Sequence, residues 1–266
     1  MTGHDAPIDM TSPHPARVYD WLLGGTENFP VDEELARHLL TLDPRAAAAA
    51  RVNRAFTHRA VRRLATTGGM RQFLDVGTGI PTEPGLHHTV QEHAPDARVV
   101  YTDNDPAALS HARTLLRSTP QGVTEYLQAD IREPEAVVEA AGKVLDLDRP
   151  VVVSLVALLH FVPDEDGPYE LVRRLLAPLP SGSWLVLTHA TADFDRNGAE
   201  RAREVYGRWG LTFAPRSREG FTGFFRGLEL AEPGVALAAD WRPDPGEAPV
   251  HGAGSTPAYA GVARKL

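Results

Sequence analysis

The feature that most constrains the fold is a change of pattern at Arg71. From there onward, short apolar runs alternate with helical segments at the spacing of βαβ units. The predicted strands are RQFLDV, ARVVYT, TEYLQA, RPVVVSLVAL, GSWLVLTHA, LELAEPGVAL and AYAGVAR. Because parallel strands need crossover helices, these repeats predict a doubly wound α/β fold with a seven-stranded, mostly parallel sheet. No helical pattern separates the last two runs, so we expect the last strand to be antiparallel.

The chain before Arg71 has a different texture. Residues 1–12 are small, polar and unpatterned, which indicates a disordered N-terminus. Helical patterns fill 13–69, and the longest places Val52, Phe56, Ala60 and Leu64 on one face. The sequence therefore predicts a helical cap over 13–69 and a core domain over 70–266.

Composition excludes several classes of function. The formal charge is −8 and no basic face is apparent, which argues against nucleic acid as a partner. The chain has no cysteine, so thiolate zinc sites and cysteine nucleophiles are excluded, and no other metal-ligand spacing is present. No apolar run approaches the ~20 residues of a membrane span, and the N-terminus lacks an apolar signal region. We expect a cytoplasmic protein that binds neither metal nor membrane.

A glycine turn follows the first predicted strand in the stretch FLDVGTGIPTE. Gly77 and Gly79 permit a tight turn and close backbone approach to a ligand. A dinucleotide site would have a third glycine where a helix N-terminus meets a pyrophosphate, and here Pro81 and Thr82 follow instead. Asp75 before the turn would repel a pyrophosphate and favour a cationic group.

Two further acids end the next two predicted strands. Asp103 closes VVYTD, where a carboxylate can accept both hydroxyls of a ribose. Asp130 closes YLQAD and could accept a hydrogen bond from an adenine amine. Any one of these acids could instead be a helix N-cap. Three acids at three consecutive strand ends predict a nucleoside site, and a cationic sulfonium nucleoside, S-adenosylmethionine, fits Asp75 best.

The same motifs carry a family resemblance. FLDVGTGIPT, VVYTDNDP, YLQADIRE, VALLHFVPD and THATADF resemble the class I S-adenosylmethionine-dependent methyltransferases. ARVYDWLLGGTENF, RVNRAF and HATADFD resemble an actinobacterial branch of that class whose substrate is unassigned. The resemblance covers about residues 13–264. It implies a Rossmann-like methyltransferase fold, S-adenosylmethionine as methyl donor and S-adenosylhomocysteine as product.

The resemblance also implies which residues bind the cofactor. Around the methionine moiety we expect Asp75, Gly77, Thr78 and Gly79, and at the ribose Asp103. Around the adenine we expect Asn104, Asp130 and Ile131, and at the cofactor amine the backbone groups of Leu155 and Val156. Three residues of the cap segment are expected to fold over the cofactor, namely Tyr19, Gly25 and Asn28.

Methyl transfer needs a base only when the acceptor loses a proton as it attacks, because a sulfonium is already a strong electrophile. The candidates for that base are His160, His189 and Asp193, near the ends of the fourth and fifth strands. An apolar acceptor site could be lined by the aromatic residues Tyr19, Trp21, Phe29, Phe161, Phe194 and Tyr206, although ordinary core packing explains any single one of them better.

The leading hypothesis is methyl transfer to a small-molecule acceptor, with O-methylation in secondary metabolism favoured. Two alternatives stay open from the sequence. One is a cofactor-binding protein without transfer activity, acting as a sensor or partner subunit. The other is an NAD-dependent oxidoreductase, against which the missing third glycine argues. The sequence leaves open whether the chain is a monomer or a homodimer.

Overall fold

The computed structural model describes residues 8–115, 118–244 and 258–266, with the backbone alone over 111–115. The helices of these residues are α1 (Pro15–Leu23), α2 (Pro30–Leu42), α3 (Ala46–Thr66), α4 (Leu86–His93), α5 (Pro106–Leu115), α6 (Pro134–Ala141), α7 (Pro168–Leu176), α8 (Arg196–Arg208) and α9 (Arg218–Gly223). The strands are β1 (Gln72–Val76), β2 (Arg98–Asp103), β3 (Val123–Gln128), β4 (Val152–Leu155), β5 (Trp184–Ala190), β6 (Leu228–Leu230), β7 (Ala236–Leu237) and β8 (Ala258–Lys265). Short 3₁₀ turns follow β4 at Leu159–Phe161 and Asp164–Asp166.

The strands form one mixed sheet in the order β3-β2-β1-β4-β5-β8-β6, with β7 also paired to β8. β1 to β5 are parallel, and β8 runs antiparallel to β5, β6 and β7. The doubly wound α/β prediction and the antiparallel last strand are both confirmed. The strand order reverses direction between β1 and β4, which is where ligands bind in open parallel sheets.

The two faces of the sheet follow from the period-two alternation of its strands. In β1, Phe73 packs into a cluster with α3 and α4, whereas Leu74 and Val76 pack into a second cluster with α6 and α7. The predicted apolar face of α3, which includes Phe56 and Ala60, is fully buried in the first cluster. α3 therefore covers the sheet, as a layer of the core.

The first two helices pack differently. Val18 of α1 and Leu35 of α2 belong to a third apolar cluster with Tyr206 of α8, apart from the sheet. Of the predicted disordered N-terminus, residues 1–7 lie outside the described part of the chain. The described residues of that segment contact α1, because the Arg17 guanidinium donates to the carbonyls of Asp9 and Ser12. The division of the chain near residue 70 stays a prediction.

One predicted strand differs from the structure. The run LELAEPGVAL forms two short strands, β6 and β7, because Pro233 and Gly234 make a turn in which the Gly234 amide donates to the Ala231 carbonyl. Within the described residues the sheet thus has eight strands, where the sequence predicts seven. Most of the predicted irregular connection before β8, residues 245–257, lies outside the described residues.

No helix in the described ranges combines the length and the apolar character that a membrane crossing requires.

Candidate functional site

A cleft of about 330 Å³ opens at the carboxyl ends of the parallel strands. Its floor comes from the segments that follow β1, β2, β3 and β4, and its sides from α1, α3 and the stretch 210–212 between α8 and α9. The register of the sheet aligns these strand ends, because Asp75 pairs with Tyr101 and Ser154, and Asp103 pairs with Gln128. Motifs that are distant in sequence therefore reach one cavity.

The glycine turn after β1 needs its glycines. Gly77 has a φ of 68° and its amide donates to the Thr102 carbonyl at 2.8 Å. A Cβ at this position would lie 2.5 Å from the Leu158 side chain, so only glycine fits without displacement. Gly79 also has a positive φ, of 71°. α4 begins only at Leu86, so no helix N-terminus directly follows the turn, unlike in a dinucleotide site.

Two buried carboxylates flank this turn. Asp75 accepts a hydrogen bond from the Thr78 hydroxyl at 2.6 Å. Asp103 accepts from the Gly79 amide at 2.8 Å and from the Asp105 amide at 2.9 Å, so it holds the turn against β2. Burial raises the pKa of both carboxyl groups. Burying these two negative charges costs free energy, and a ligand that brings hydroxyl donors or positive charge offsets that cost best.

The residues predicted around an adenine lie together on the next side of the cleft. The Asn104 side chain donates to the Asp130 carboxylate at 2.9 Å, and Asp130 also accepts from the Arg132 amide. Ile131 beside them is buried and also lines the cleft. Of the two residues predicted at the cofactor amine, Val156 lines the cleft. The Leu155 side chain, at the end of β4, is fully buried in the apolar cluster with α6 and α7.

The three predicted cap residues separate into two groups. Tyr19 lines the cleft, and its hydroxyl donates to the Ala50 carbonyl at 2.8 Å. Gly25 and Asn28 are not among the residues that line it. They surround the buried Asp20 carboxylate, to which Asn28 donates at 2.9 Å. A Cβ at Gly25 would lie 2.0 Å from that carboxylate, which explains the glycine locally.

α1 is fixed over the cleft by buried charges. The Arg17 guanidinium lies 3.2 Å from the Asp105 carboxylate at the end of β2 and 3.6 Å from the carboxylate of Asp32 in α2. The His14 amide donates to Asp32 at 2.8 Å. These contacts connect the cap helix to the same strand end that carries Asp103.

A second cavity of about 200 Å³ adjoins the cleft. It lies between α1, α2, α3 and α8, and Pro15, Tyr19, Ala157 and Phe161 line both spaces. Of the predicted aromatic acceptor residues, Tyr19, Phe161 and Tyr206 line this second cavity. Trp21, Phe29 and Phe194 line neither space: Trp21 and Phe29 pack against the guanidinium groups of Arg37 and Arg17, and Phe194 is largely exposed.

The three base candidates have different surroundings. The His189 ring is buried, with Nδ1 2.7 Å from the Ala190 carbonyl and Nε2 2.8 Å from Nη1 of Arg216. Nδ1 therefore carries the proton and Nε2 accepts from the guanidinium, which leaves no free basic nitrogen. Burial, reinforced by Arg216, lowers the pKa of His189 to about 3.

Asp193 accepts from the Arg218 amide at 2.7 Å and from the Tyr259 hydroxyl at 3.0 Å. Neither Asp193 nor His189 lines the cleft or the second cavity.

His160 is the base candidate that does reach a cavity. It lines the second cavity, and its Nδ1 accepts a long hydrogen bond of 3.4 Å from the Ala190 amide. Burial lowers the pKa of His160 well below its usual value, with smaller contributions from His189 and Arg216. A neutral imidazole that accepts at Nδ1 carries its proton at Nε2, so His160 presents an N–H donor.

Sequence reasoning missed several residues of the site. Arg54 of α3 lines the cleft, and its guanidinium donates to the carbonyls of Thr82 and Pro84 at 3.0 and 2.7 Å, which fixes the segment after the glycine turn. Its neighbour Asn53 lines the second cavity. Both lie in the motif RVNRAF, which could have indicated them. Leu158 lies in VALLHFVPD, which could have indicated it in the same way, whereas Leu211 lies in no quoted motif.

The sheet order, the glycine turn and the strand-end acids define the class of this protein: it has the Rossmann-like fold that solved methyltransferase structures share. A family model described as S-adenosyl methyltransferase matches residues 1–266. The chain therefore belongs to the S-adenosyl methyltransferase family, as the resemblance predicts.

Solved structures agree with this assignment. A DUF574 family protein from Streptomyces avermitilis is 42% identical with a TM-score of 0.94, over 98% of this chain and 100% of the other. A candidate methyltransferase from Thermobifida fusca is 36% identical with a TM-score of 0.88, over 97% and 96%. An S-adenosylmethionine-dependent methyltransferase from Anabaena variabilis, 18% identical over 73% and 77% with a TM-score of 0.50, shares the fold alone. No curated protein matches the chain.

These findings decide among the three hypotheses from the sequence. The protein is an S-adenosylmethionine-dependent methyltransferase, and neither the cofactor-binding protein without activity nor the NAD-dependent oxidoreductase is supported. The cofactor prediction is confirmed, and the acceptor is the open question.

Proposed function

We propose that this enzyme methylates an oxygen atom of a small molecule in cytoplasmic secondary metabolism, with S-adenosylmethionine bound in the strand-end cleft. The observation that carries the location of the cofactor is that Asp75, Asp103 and Asp130, from three consecutive strand ends, line one cavity. A cavity of about 330 Å³ lies in the range of small-ligand pockets.

The residues of the cleft fit the cofactor part by part. Asp103 accepts the ribose hydroxyls while it holds Gly79, because each carboxylate oxygen has a second lone pair. Asp75 lies where the positive sulfonium and amine compensate its buried charge. Asn104, Asp130 and Ile131 surround the adenine. Gly77, Thr78 and Gly79 give backbone room to the methionine moiety, and the backbone after Leu155 and Val156 faces the amine.

Gly25 and Asn28 have a different role in this proposal. They hold Asp20 and thereby the end of α1, which carries Tyr19 to the boundary between the cleft and the second cavity. They act on the cofactor through the position of α1.

S-adenosylmethionine supplies a methyl group on a sulfonium, an electrophile that needs no activation by the protein. The chain's contribution is to exclude water, to hold both reactants in line and to orient the acceptor. His189 and Asp193 do not act as bases in this proposal, because Arg216 engages the accepting nitrogen of His189 and Asp193 lines neither the cleft nor the second cavity.

His160 supports oxygen as the acceptor atom. A neutral His160 offers an N–H donor to the second cavity. An oxygen nucleophile has a second lone pair left after it accepts that hydrogen bond, whereas an amine nitrogen would lose the only lone pair with which it can attack. The N–H group also stabilises negative charge on the oxygen of a hydroxyl that gives its proton to solvent water before the oxygen takes the methyl group and the carbon–sulfur bond breaks.

The experiment that tests cofactor placement is calorimetric titration with S-adenosylmethionine, S-adenosylhomocysteine and NAD. We expect both sulfur nucleosides to bind and NAD not to bind. Asp103→Ala removes the charged acceptor of two ribose hydroxyls, so the affinity for S-adenosylhomocysteine falls roughly a hundredfold. Asp148→Ala, at an exposed position away from the cleft, is the matched control.

Mass spectrometry of the purified protein establishes that it carries no cofactor before titration. An Asp103→Ala variant that binds S-adenosylhomocysteine as tightly as the wild type would refute the proposed placement. With an acceptor in hand, an isotopically labelled methyl group distinguishes O-methyl from N-methyl product by its NMR chemical shift.

A further inference from the structure

The second cavity has the properties of a binding site in its own right. Its walls are mostly aliphatic and aromatic, with alanines at Ala46, Ala49 and Ala50 and a ring cluster on the opposite side. Phe161, Tyr206 and Phe213 form that cluster together with His160: the Tyr206 and Phe213 rings stack with centroids 4.9 Å apart, and the His160 and Phe161 rings lie 4.4 Å apart. Such a wall favours a flat ring over a flexible or hydrated ligand.

The charged residues of the lining are already paired. The Arg45 guanidinium contacts the Asp43 carboxylate at 2.7 Å, and Asp195 accepts from the Gly198 amide at 2.8 Å as the N-cap of α8. Among the described residues, the lining therefore offers a phosphate or an ammonium group no charged side chain that lacks a hydrogen-bond partner. An uncharged ligand is the one it accommodates at lowest desolvation cost.

One polar group in the lining lacks a partner. Asn53 is 7% exposed, and its Oδ1 is buried without a hydrogen-bond partner among the described residues. An unsatisfied buried acceptor costs about 1–3 kcal/mol, so such groups are rare in native proteins and indicate a missing ligand or water. His160 adds a donor to the same cavity through Nε2–H. The lining residues thus include one unsatisfied acceptor and one donor within apolar walls, and the covered Asn53 amide must rotate to present Oδ1 to a ligand.

We propose that the second cavity is the acceptor site, and that the acceptor is an uncharged aromatic compound of one or two rings whose hydroxyl group donates to Asn53 Oδ1. The size supports this class, because a cavity of about 150 Å³ takes benzene and this one measures about 200 Å³. The wall that it shares with the cleft places such an acceptor beside the proposed cofactor position. This assignment rests on the proposed function for its role in catalysis, but the binding site can be tested separately.

The test uses 2-naphthol and 2-methoxynaphthalene as probes, because the two share the ring system and only naphthol carries a hydroxyl donor. Their binding to the full chain is measured calorimetrically with S-adenosylhomocysteine present and absent. We expect naphthol to bind roughly tenfold more tightly than its methyl ether, the effect of one hydrogen bond to a buried acceptor.

Two variants locate the site. Asn53→Leu keeps the side-chain volume and removes the acceptor, so the preference for naphthol over the ether disappears. Ala202→Phe on α8 places a ring in the cavity and weakens both probes roughly tenfold or more. Ala140→Phe, at an equally half-buried position on α6 that lines neither cavity, is the matched control and leaves both affinities unchanged.

The outcomes separate this inference from the proposed function. If S-adenosylhomocysteine binds but naphthol does not, the acceptor assignment is overturned while the cofactor site stands. The same conclusion follows if both bind and Ala202→Phe leaves the affinity for naphthol unchanged. Naphthol binding that responds to both variants without S-adenosylhomocysteine binding would support the cavity and refute the cofactor placement. If Asn53→Leu fails to fold, the Ala202→Phe result alone decides the location.

Discussion

The cleft and the second cavity are neighbours, but the chain builds them in opposite ways. The cleft takes its polar groups from consecutive strand ends, where short motifs place a carboxylate beside a turn. The second cavity is assembled from segments that span the chain from Pro15 to Ala258, and its walls are mostly apolar. One site is encoded locally and the other by tertiary packing.

This difference separates two requirements of the enzyme. Recognition of a polar nucleoside needs fixed charges and backbone groups, which the rigid sheet positions. Recognition of an apolar acceptor needs shape, which single alanine or aromatic positions on helices can alter without disturbing the sheet. The segment from Ala157 to Val162 belongs to both, since Ala157 and Phe161 line both spaces. Arg216 braces that segment through hydrogen bonds to the carbonyls of Leu159 and Val162, both at 3.0 Å.

The largest expected effect comes from breaking this brace. Arg216→Met removes a guanidinium that is 7% exposed. It leaves the Val162 carbonyl and His189 Nε2 without their donor, and leaves the Leu159 carbonyl with the Val162 amide alone. We expect the free energy of unfolding, measured by urea denaturation, to fall by roughly 3 to 5 kcal/mol. Binding of S-adenosylhomocysteine and of naphthol should weaken together, because both cavities share the braced segment.

Asp164→Asn is the control for the ion pair within that brace. The Asp164 side chain is 80% exposed, so its pair with Arg216 is screened by solvent and should contribute less than about 1 kcal/mol. If the Asp164 variant is as unstable as Arg216→Met, the carbonyl contacts are not the source of the stability and the brace is wrongly identified.

A smaller and more local effect is expected at the glycine turn. Gly77→Ala adds a Cβ at a φ of 68° and 2.5 Å from Leu158, which should cost roughly 1–3 kcal/mol of stability. S-adenosylhomocysteine affinity should fall, whereas naphthol affinity in the absence of nucleoside should not change. Gly234→Ala, with a φ of 81° and nothing within 4 Å of the added Cβ, controls for backbone strain alone. Equal losses of nucleoside affinity in the two variants would contradict a specific role for the turn.

The contrast between the sites also explains what the sequence could predict. The period-two runs and helix spacings predict β1 to β5 and the intervening helices closely, because these elements are specified by local patterns. The acids Asp75, Asp103 and Asp130 could be found for the same reason, since the carboxyl ends of parallel strands meet at one edge. The split of LELAEPGVAL was readable from Pro233, which a continuous strand does not tolerate.

The second cavity could not be assembled from sequence. Asn53, His160, Tyr206 and Phe213 come from four separate elements, and no local period relates them. The surroundings of the base candidates could not be predicted for a related reason: a histidine at a strand end predicts reach into the cleft, but Arg216, 27 residues further along the chain, occupies the accepting nitrogen of His189. Hydrogen-bond partners distant in sequence decide whether a titratable side chain is available for chemistry.

The brace around His189 differs from both cavities in its expected response to pH. Burial lowers the pKa of His189 to about 3, whereas a histidine in an unfolded chain titrates near 6.5. Below pH 6.5 the unfolded chain binds a proton that the native chain does not, so the contribution of His189 to stability is complete above that pH. It is lost as the pH falls toward 3, by up to about 1.4 kcal/mol per pH unit.

Because Asp75, Asp103 and His160 titrate in both proteins, the difference between wild type and His189→Gln isolates this residue. Glutamine keeps one donor and one acceptor without a titrating group, so the variant should lose less stability between pH 6 and pH 4 in urea denaturation. His93→Gln, at an exposed position, controls for the substitution itself. Parallel pH curves for the wild type and His189→Gln would mean that His189 is protonated in the native state, and that Arg216 does not hold its ring as a neutral acceptor.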